Sequence, residues 1–205
     1  IQWNGLNKTL IAIVLSPVLG MILSMLIMLV TSWLFSRASN RGAERSFRVL
    51  HMISSGTYSL SHGLNDAQKT MGIITVLLFS TGYLKGEFHV PHWVAISCYI
   101  AIGLGTLTGG WKIIETMGSR ITKLSQHQGF SASLGGSFML FGASLYGIPV
   151  STTHTITGAV IGAGVARRAS AVNWGVAQSV VMAWLITIPA SASVAALIYW
   201  MTTFF

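Results

Sequence analysis

The chain has 205 residues, 52% of them hydrophobic and 8% charged, with a formal net charge of +8. A water-soluble domain carries about 25% charged residues, so the composition excludes an ordinary soluble globule; the single cysteine, Cys98, excludes a disulfide framework. The cations sit in short loops between apolar runs, without the aromatic interleaving of a nucleic-acid surface, and nucleic acid is excluded as a partner.

Residues 10–35 are free of charge and form the first predicted span. A bilayer core ~30 Å thick needs about 20 helical residues, and the run is too long and too poorly flanked for a cleaved signal peptide. The sequence starts at Ile1 rather than Met, so an upstream segment is expected. Residues 36–60 read as a basic connection with a short interfacial helix, which makes 1–60 one unit and 61–205 a second. Residues 61–84 start polar (SHGLNDAQKT) and become apolar only from Met71. That pattern predicts a discontinuous helix, with irregular backbone first and helix after it.

Residues 93–108 form the third span, and 109–128 are amphipathic and polar. Residues 129–148 and 149–166 are apolar, rich in Gly, Ala and Ser, and separated by Pro149. They predict a re-entrant helical hairpin. The last span covers 174–200, with a kink expected at Pro189. The predicted fold class is therefore all-α: about four transmembrane helices, a discontinuous helix among them, plus one re-entrant hairpin. Nine of the twelve Lys and Arg then share one side, which the positive-inside rule makes cytoplasmic. Lys8 and Lys85 lie on the other side with both chain ends, and Lys69 lies within the membrane. Trp93, Trp174 and Trp200 fall near span ends, as belt aromatics do. Glycines 135, 136, 142, 147, 158, 162 and 164 are assigned to close helix packing.

Two polar motifs fall inside the membrane. In the first, Ser61 to Thr70, an ionised residue at bilayer depth costs at least ~2.5–3.5 kcal/mol, so Asp66 and Lys69 need a reason. Asn65 and Asp66 suit the N-cap of the following helix and form a hard-oxygen site for Na⁺ or H⁺ coupling, with Asp66 the candidate Na⁺ ligand. The plainer reading is that Asp66 and Lys69 pair at i, i+3, which leaves the crowding of His62, Asn65, Gln68 and Thr70 unexplained.

In the second motif, Gly147 to Thr155, Ser151, Thr152 and Thr153 occupy a helix start, where backbone N–H groups lack intrahelical partners and the dipole is positive. Three hydroxyls there suit a tetrahedral oxyanion; the plainer reading is an N-cap and a wet turn. An unperturbed imidazole titrates near neutral pH, so His154 is a candidate proton carrier or a structural histidine. His51, His89, His92 and His127 are assigned no role.

HGLNDAQKTMG at 62–72, GIPVSTTHTITGAVIGAG at 147–164, GWKIIETMGSRITKL at 110–124 and the Trp184, Thr187, Pro189 pattern resemble the second repeat of the inorganic phosphate transporter (Pit) family. The resemblance implies one half of an inverted-repeat transporter that moves inorganic phosphate with Na⁺ or H⁺, or, in bacterial relatives, a neutral divalent metal–phosphate complex. It implies no further cofactor, and a place as a multi-pass protein in the plasma (inner) membrane of a bacterium. Asn65, Ser151, Thr152 and Thr153 would bind phosphate; Asn65, Asp66 and His154 would serve coupling. The family carries each motif twice and this sequence once. The expected partners are therefore the lipid bilayer and the N-terminal repeat half of the same transporter, the full transporter being a candidate homodimer. The charge asymmetry argues against an upside-down second copy standing in for the missing half, and the chain alone is not expected to transport. Sulfate transport on the same scaffold and a non-transporting membrane subunit are the alternatives. An intramembrane enzyme using His62, Asp66, Ser151 and His154 is disfavoured, because neither G-x-S-x-G nor H-E-x-x-H is present.

Overall fold

The computed structural model describes residues 3–203, and every regular element among them is helical. In order these are α1 (Trp3–Leu34), α2 (Asn40–Ser80), α3 (His92–Thr108), α4 (Trp111–Glu115), a π-helical turn (Thr116–Arg120), α5 (Gln126–Leu145), α6 (Thr152–Arg167), a 3₁₀ turn (Ala169–Ala171) and α7 (Trp174–Thr202). Among the described residues, Leu6–Leu34 and Trp174–Thr202 are each long and apolar enough to cross a bilayer; α3 with the α4–π segment makes a third if that pair, bent by 67°, is one span. The bend falls at Gly109–Gly110, where Gly110 takes a left-handed φ of 96° that glycine adopts without a Cβ clash.

The largest departure from expectation is α2. Its helix begins at Asn40, capped by Ser39 Oγ on the Gly42 N–H, and continues unbroken to Ser80. Residues 61–70 are therefore helix rather than irregular backbone, Asn65 and Asp66 are mid-helix rather than N-caps, and residue 60 marks no break in structure. The reason lies in how the polar side chains are satisfied. Ser54, Thr57, Ser61 and Thr75 donate back to carbonyls three or four residues earlier. His62, Asp66 and Lys69 satisfy one another at i, i+4 and i, i+3 spacing. Polar residues that stay bonded along one helix face leave the backbone ladder intact. The last helix, α7, is continuous through Pro189, whose missing N–H leaves one intrahelical bond unmade.

Helices α5 and α6 form a hairpin that packs on α1 and α2. Its turn is a Schellman ending: Gly147, at φ 62°, donates to Ser144 O at 3.1 Å and Ile148 N–H to Ala143 O at 2.9 Å. Ile148 then packs on the cluster of Ala12, Leu140, Ala143 and Val150, and Pro149 prevents the helix from resuming.

Small residues set the depth of the hairpin against α1. Ser16, Gly20 and Ser24 recur every four residues on α1, and Gly158 and Gly162 do so on α6. A Cβ at Gly158 would collide with the Pro17 carbonyl, and one at Gly162 with that of Met21. A Cβ at Gly135 would lie 2.8 Å from Ser24 N. In a bilayer such close backbone approach, rather than escape from water, drives helix association. By contrast, α3 packs mainly on α2, and α7 reaches the core cluster through Val176 and Val180 in its first turns and His154 through Trp184. The rest of α7 presents Leu185, Ile188 and Leu197 outward.

Gly158→Ala should lower the thermal midpoint of the detergent-solubilised protein by several degrees, for an overpacking cost of about 1–3 kcal/mol. Gly142→Ala, where an added Cβ meets nothing within 4 Å, should leave the midpoint unchanged or raise it. Equal midpoints for the two variants would contradict the packing described.

Candidate functional site

The site forms where the hairpin tip meets the middle of α2. Tyr58, His62, Asp66 and Lys69 follow at helical spacing on one face of α2, and three of them bond to the tip. Thr152 Oγ1 donates to Asp66 Oδ2 at 3.0 Å. Lys69 Nζ donates to Val150 O at 2.9 Å and to Asp66 Oδ1 at 2.8 Å. Tyr58 OH donates to Thr152 O at 3.1 Å. His62 Nε2 lies 2.9 Å from Asp66 Oδ2, so the carboxylate is engaged by three side chains from two helices. The i, i+3 pair anticipated as the plainer reading exists, and it is one part of a larger network.

Depth follows from the neighbouring helix. Ala67 and Met71 pack on Val94 and Cys98, while His62 and Gly63 share a cavity with Tyr99 and Gly103. Asp66 thus lies level with the middle of α3. The tip lies beside the N-terminal end of α1, through Thr9 and Ile13.

Around this junction is an open cavity of about 330 Å³, lined by Thr9, Ile13, Asp66, Lys69 and residues 149–153. The structure therefore brings Asp66 together with Ser151, Thr152 and Thr153. The donors facing it can be counted. Ser151 caps α6, its Oγ accepting from His154 N–H at 3.3 Å. The first intrahelical bond is Thr155 N–H to Ser151 O, so the amides of Thr152 and Thr153 precede it. Thr153 is exposed. An ammonium has three protons and Lys69 uses two in the bonds above. The Thr152 hydroxyl proton is committed to Asp66. Two hydroxyls, two helix-start amides and one ammonium proton remain for an anion.

Asn65 and His154, both expected at the site, are not among the residues lining this cavity. Asn65 is buried, its Nδ2 donating to Ser144 Oγ at 3.3 Å, and its Oδ1 has no hydrogen-bond partner among the described residues. The His154 ring stacks on Trp184 at 3.8 Å between centroids. It lines a second cavity between α1, α7 and the tip, to which Ser151 and Thr153 also contribute. Tyr58, Ser144 and Thr9 were not singled out from the sequence, and Trp184 entered only as part of a motif. For Tyr58 a signal existed, the 58-62-66-69 stripe, which is visible only if the segment is read as helix. His51 and His127, assigned no role, tie helices together: His51 Nδ1 lies 2.9 Å from Gln126 Oε1, and His127 Nε2 lies 2.6 Å from Thr31 Oγ1.

Tyr58→Phe removes one tie between α2 and the tip, worth about 1 kcal/mol. Hydrogen exchange at the amides of residues 150–153 should accelerate several-fold while the α1 amides keep their rates. Unchanged exchange at the tip would show that Tyr58 does not hold it.

The phosphate transporter family model matches residues 1–195. The chain is 60% identical over 199 residues to a protein of Rhizobium meliloti (strain 1021) described as a "Probable low-affinity inorganic phosphate transporter". It is 37% identical over 199 residues to one of Bacillus subtilis (strain 168) with the same description. Each match takes in 97% of this chain and 60% of the relative, so the chain spans about three-fifths of the length of these curated relatives. Among solved structures, one titled "The sodium-dependent phosphate transporter" matches with a TM-score of 0.71 and 28% identity, over 97% of this chain and 57% of that one. The chain is an integral membrane protein that belongs to the phosphate transporter family, and it is not an enzyme.

Proposed function

We propose that the chain provides one hairpin site of a cation-coupled inorganic phosphate symporter, in which Ser151, Thr152 and Thr153 bind phosphate and Asp66 receives the coupling cation. The observation that carries this reading is the bond from Thr152 Oγ1 to Asp66 Oδ2. It links the anion receptor to the cation receptor through a single proton. A cation arriving on the carboxylate competes with the donors on Asp66 and releases the Thr152 hydroxyl to face phosphate. Phosphate then gains a donor only when the cation is present, which is the meaning of coupling.

Energetics favour this over a passive pore. Bringing a phosphate dianion into a cell at −100 mV costs about 4.6 kcal/mol before any concentration gradient, and co-bound cations cancel that charge. The name of the structural neighbour favours Na⁺ over H⁺. The unpartnered Oδ1 of buried Asn65, one residue from Asp66, is an oxygen that Na⁺ could use. His154, against Trp184, is the candidate if protons couple instead.

The proposed topology has four crossings and a hairpin that enters and leaves on the cytoplasmic side, keeping the Arg and Lys of 37–48, 112–123 and 167–168 together. An N-terminal repeat half would supply the opposing hairpin and cover the outward faces of α1 and α7. The hairpins would then rock to alternate access, in the plasma membrane of a bacterium.

In proteoliposomes of the assembled transporter, Asp66→Asn should abolish Na⁺-driven phosphate uptake. Thr152→Val should weaken apparent phosphate affinity at least tenfold, and Thr152→Ser should retain it. Uptake by Asp66→Asn at the wild-type rate would remove Asp66 from coupling. Uptake that needs Mg²⁺ but no Na⁺ or proton gradient would instead identify a neutral metal–phosphate complex as cargo. Competition by equimolar sulfate would identify the cargo as tetrahedral oxyanions in general.

A further inference from the structure

We infer that a basic cavity at the base of the hairpin, walled by Arg120, Lys123, Arg167 and Arg168, is a second anion site that takes a phosphate group. It occupies about 370 Å³ and is lined also by Thr122 and Asn173. It lies at the far end of α6 from the tip, roughly 24 Å away along a helix of 16 residues, and shares no lining residue with the tip cavity.

The cations stand on a fixed frame. Arg120 ends the π-helical turn, a wide turn closed by Ile121 N–H to Thr116 O at 3.0 Å. The next residues are held in place: Ile121 and Thr122 are buried, and Ile121 O accepts from Asn173 N–H at 2.8 Å. Gln128, 1% exposed, accepts from Ser125 N–H and donates to Ala163 O, tying this turn to α6. Arg167 and Arg168 end α6 on the opposite wall.

The charge of the cavity is uncompensated. Arg120 is paired, with Nε and Nη2 donating to Glu115 Oε1 at 3.0 and 2.9 Å. Lys123, Arg167 and Arg168 have no acidic partner among the described residues. Three exposed cations without acidic partners line this one cavity and repel one another, and an anion between them converts that repulsion into attraction. A topological role alone needs positive charge on this side of the membrane, as Arg37, Arg41, Arg45 and Arg48 supply along α2 and its approach. It does not need three of them to line one braced cavity. The site is also at interfacial depth: Trp174, at the start of α7, donates its indole N–H to Ala169 O at 3.2 Å beside it. Both an anionic phospholipid headgroup and free inorganic phosphate offer the chemistry this cavity matches.

The experiment has two arms, on the assembled transporter in phosphatidylcholine nanodiscs or neutral detergent. Native mass spectrometry reads the phosphatidylglycerol retained per protein, and equilibrium dialysis reads bound inorganic phosphate. Lys123→Gln/Arg167→Gln should weaken one of these at least tenfold, and Arg168→Gln alone about threefold, with unchanged size-exclusion profiles. Arg41→Gln/Arg45→Gln, an equal loss of charge on the same expected side, should bind as wild type does. Selective loss of lipid identifies a headgroup site, and selective loss of one equivalent of phosphate identifies a station for the free ion. Wild-type binding of both ligands by Lys123→Gln/Arg167→Gln, equal weakening in the Arg41→Gln/Arg45→Gln control, or no binding of either ligand by wild type would overturn the proposal. Because binding is read without transport, failure here leaves the reading of the tip untouched, and failure of uptake in Asp66 variants leaves this one untouched.

Discussion

A carboxylate at the depth of a membrane helix's middle must be matched by donors or it will not stay ionised, and most of what is distinctive in this fold serves Asp66. Its donors come from two sources. His62 and Lys69 are its neighbours on α2, and Thr152 belongs to the first turn of α6. The α2 donors keep the charge tolerable. The α6 donor makes the position of the hairpin tip depend on the state of the carboxylate. Lys69 strengthens this dependence by bonding both to Asp66 and to the tip backbone at Val150. Any ligand that changes what Asp66 holds therefore changes what the tip can offer.

That junction is useful only if the hairpin is otherwise well placed. The glycine contacts of α6 with α1, and of Gly135 with Ser24, let backbones meet without side chains between them. At the base, the 121–125 turn and Gln128 brace the hairpin against α6. At the tip, closed by Gly147 and Pro149 and capped by Ser151, Leu145, Tyr146 and Thr153 are exposed while Val150 and Thr152 are buried. The hairpin's arms meet α1 backbone to backbone, whereas the tip is tied to α2 by side-chain bonds, so a change in those bonds can shift the tip while the arms keep their register.

The hairpin was legible in the sequence because its signals are local. Gly147, Ile148 and Pro149 end one helix, Ser151 starts the next, and glycines at spacing four mark a close crossing. That Asp66 and Thr152 belong to one site was implied by the family resemblance, which assigned the two motifs to phosphate and its coupling ion. What sequence reading got wrong was α2. A polar decapeptide holding Gly63 and Asn65 looks like broken backbone when its partners are unseen, whereas the side chains bond along the helix or across to the tip. The same misreading hid Tyr58, which becomes a site residue only when 58, 62, 66 and 69 are placed on one face. Trp184 was seen only as part of a motif, because its contact with His154 joins residues thirty positions apart on two different helices.

The most direct test of the central claim, that cation and phosphate meet at the tip, is thiol labelling of Thr153→Cys in the assembled transporter. Cys98 is buried and gives little background. Phosphate should slow labelling at position 153 at least fivefold in the presence of Na⁺ and leave it unchanged without Na⁺. Labelling of Leu145→Cys, exposed at the end of α5, should be indifferent to both. Labelling at position 153 that ignores phosphate, with the coupling cation present, would contradict the account.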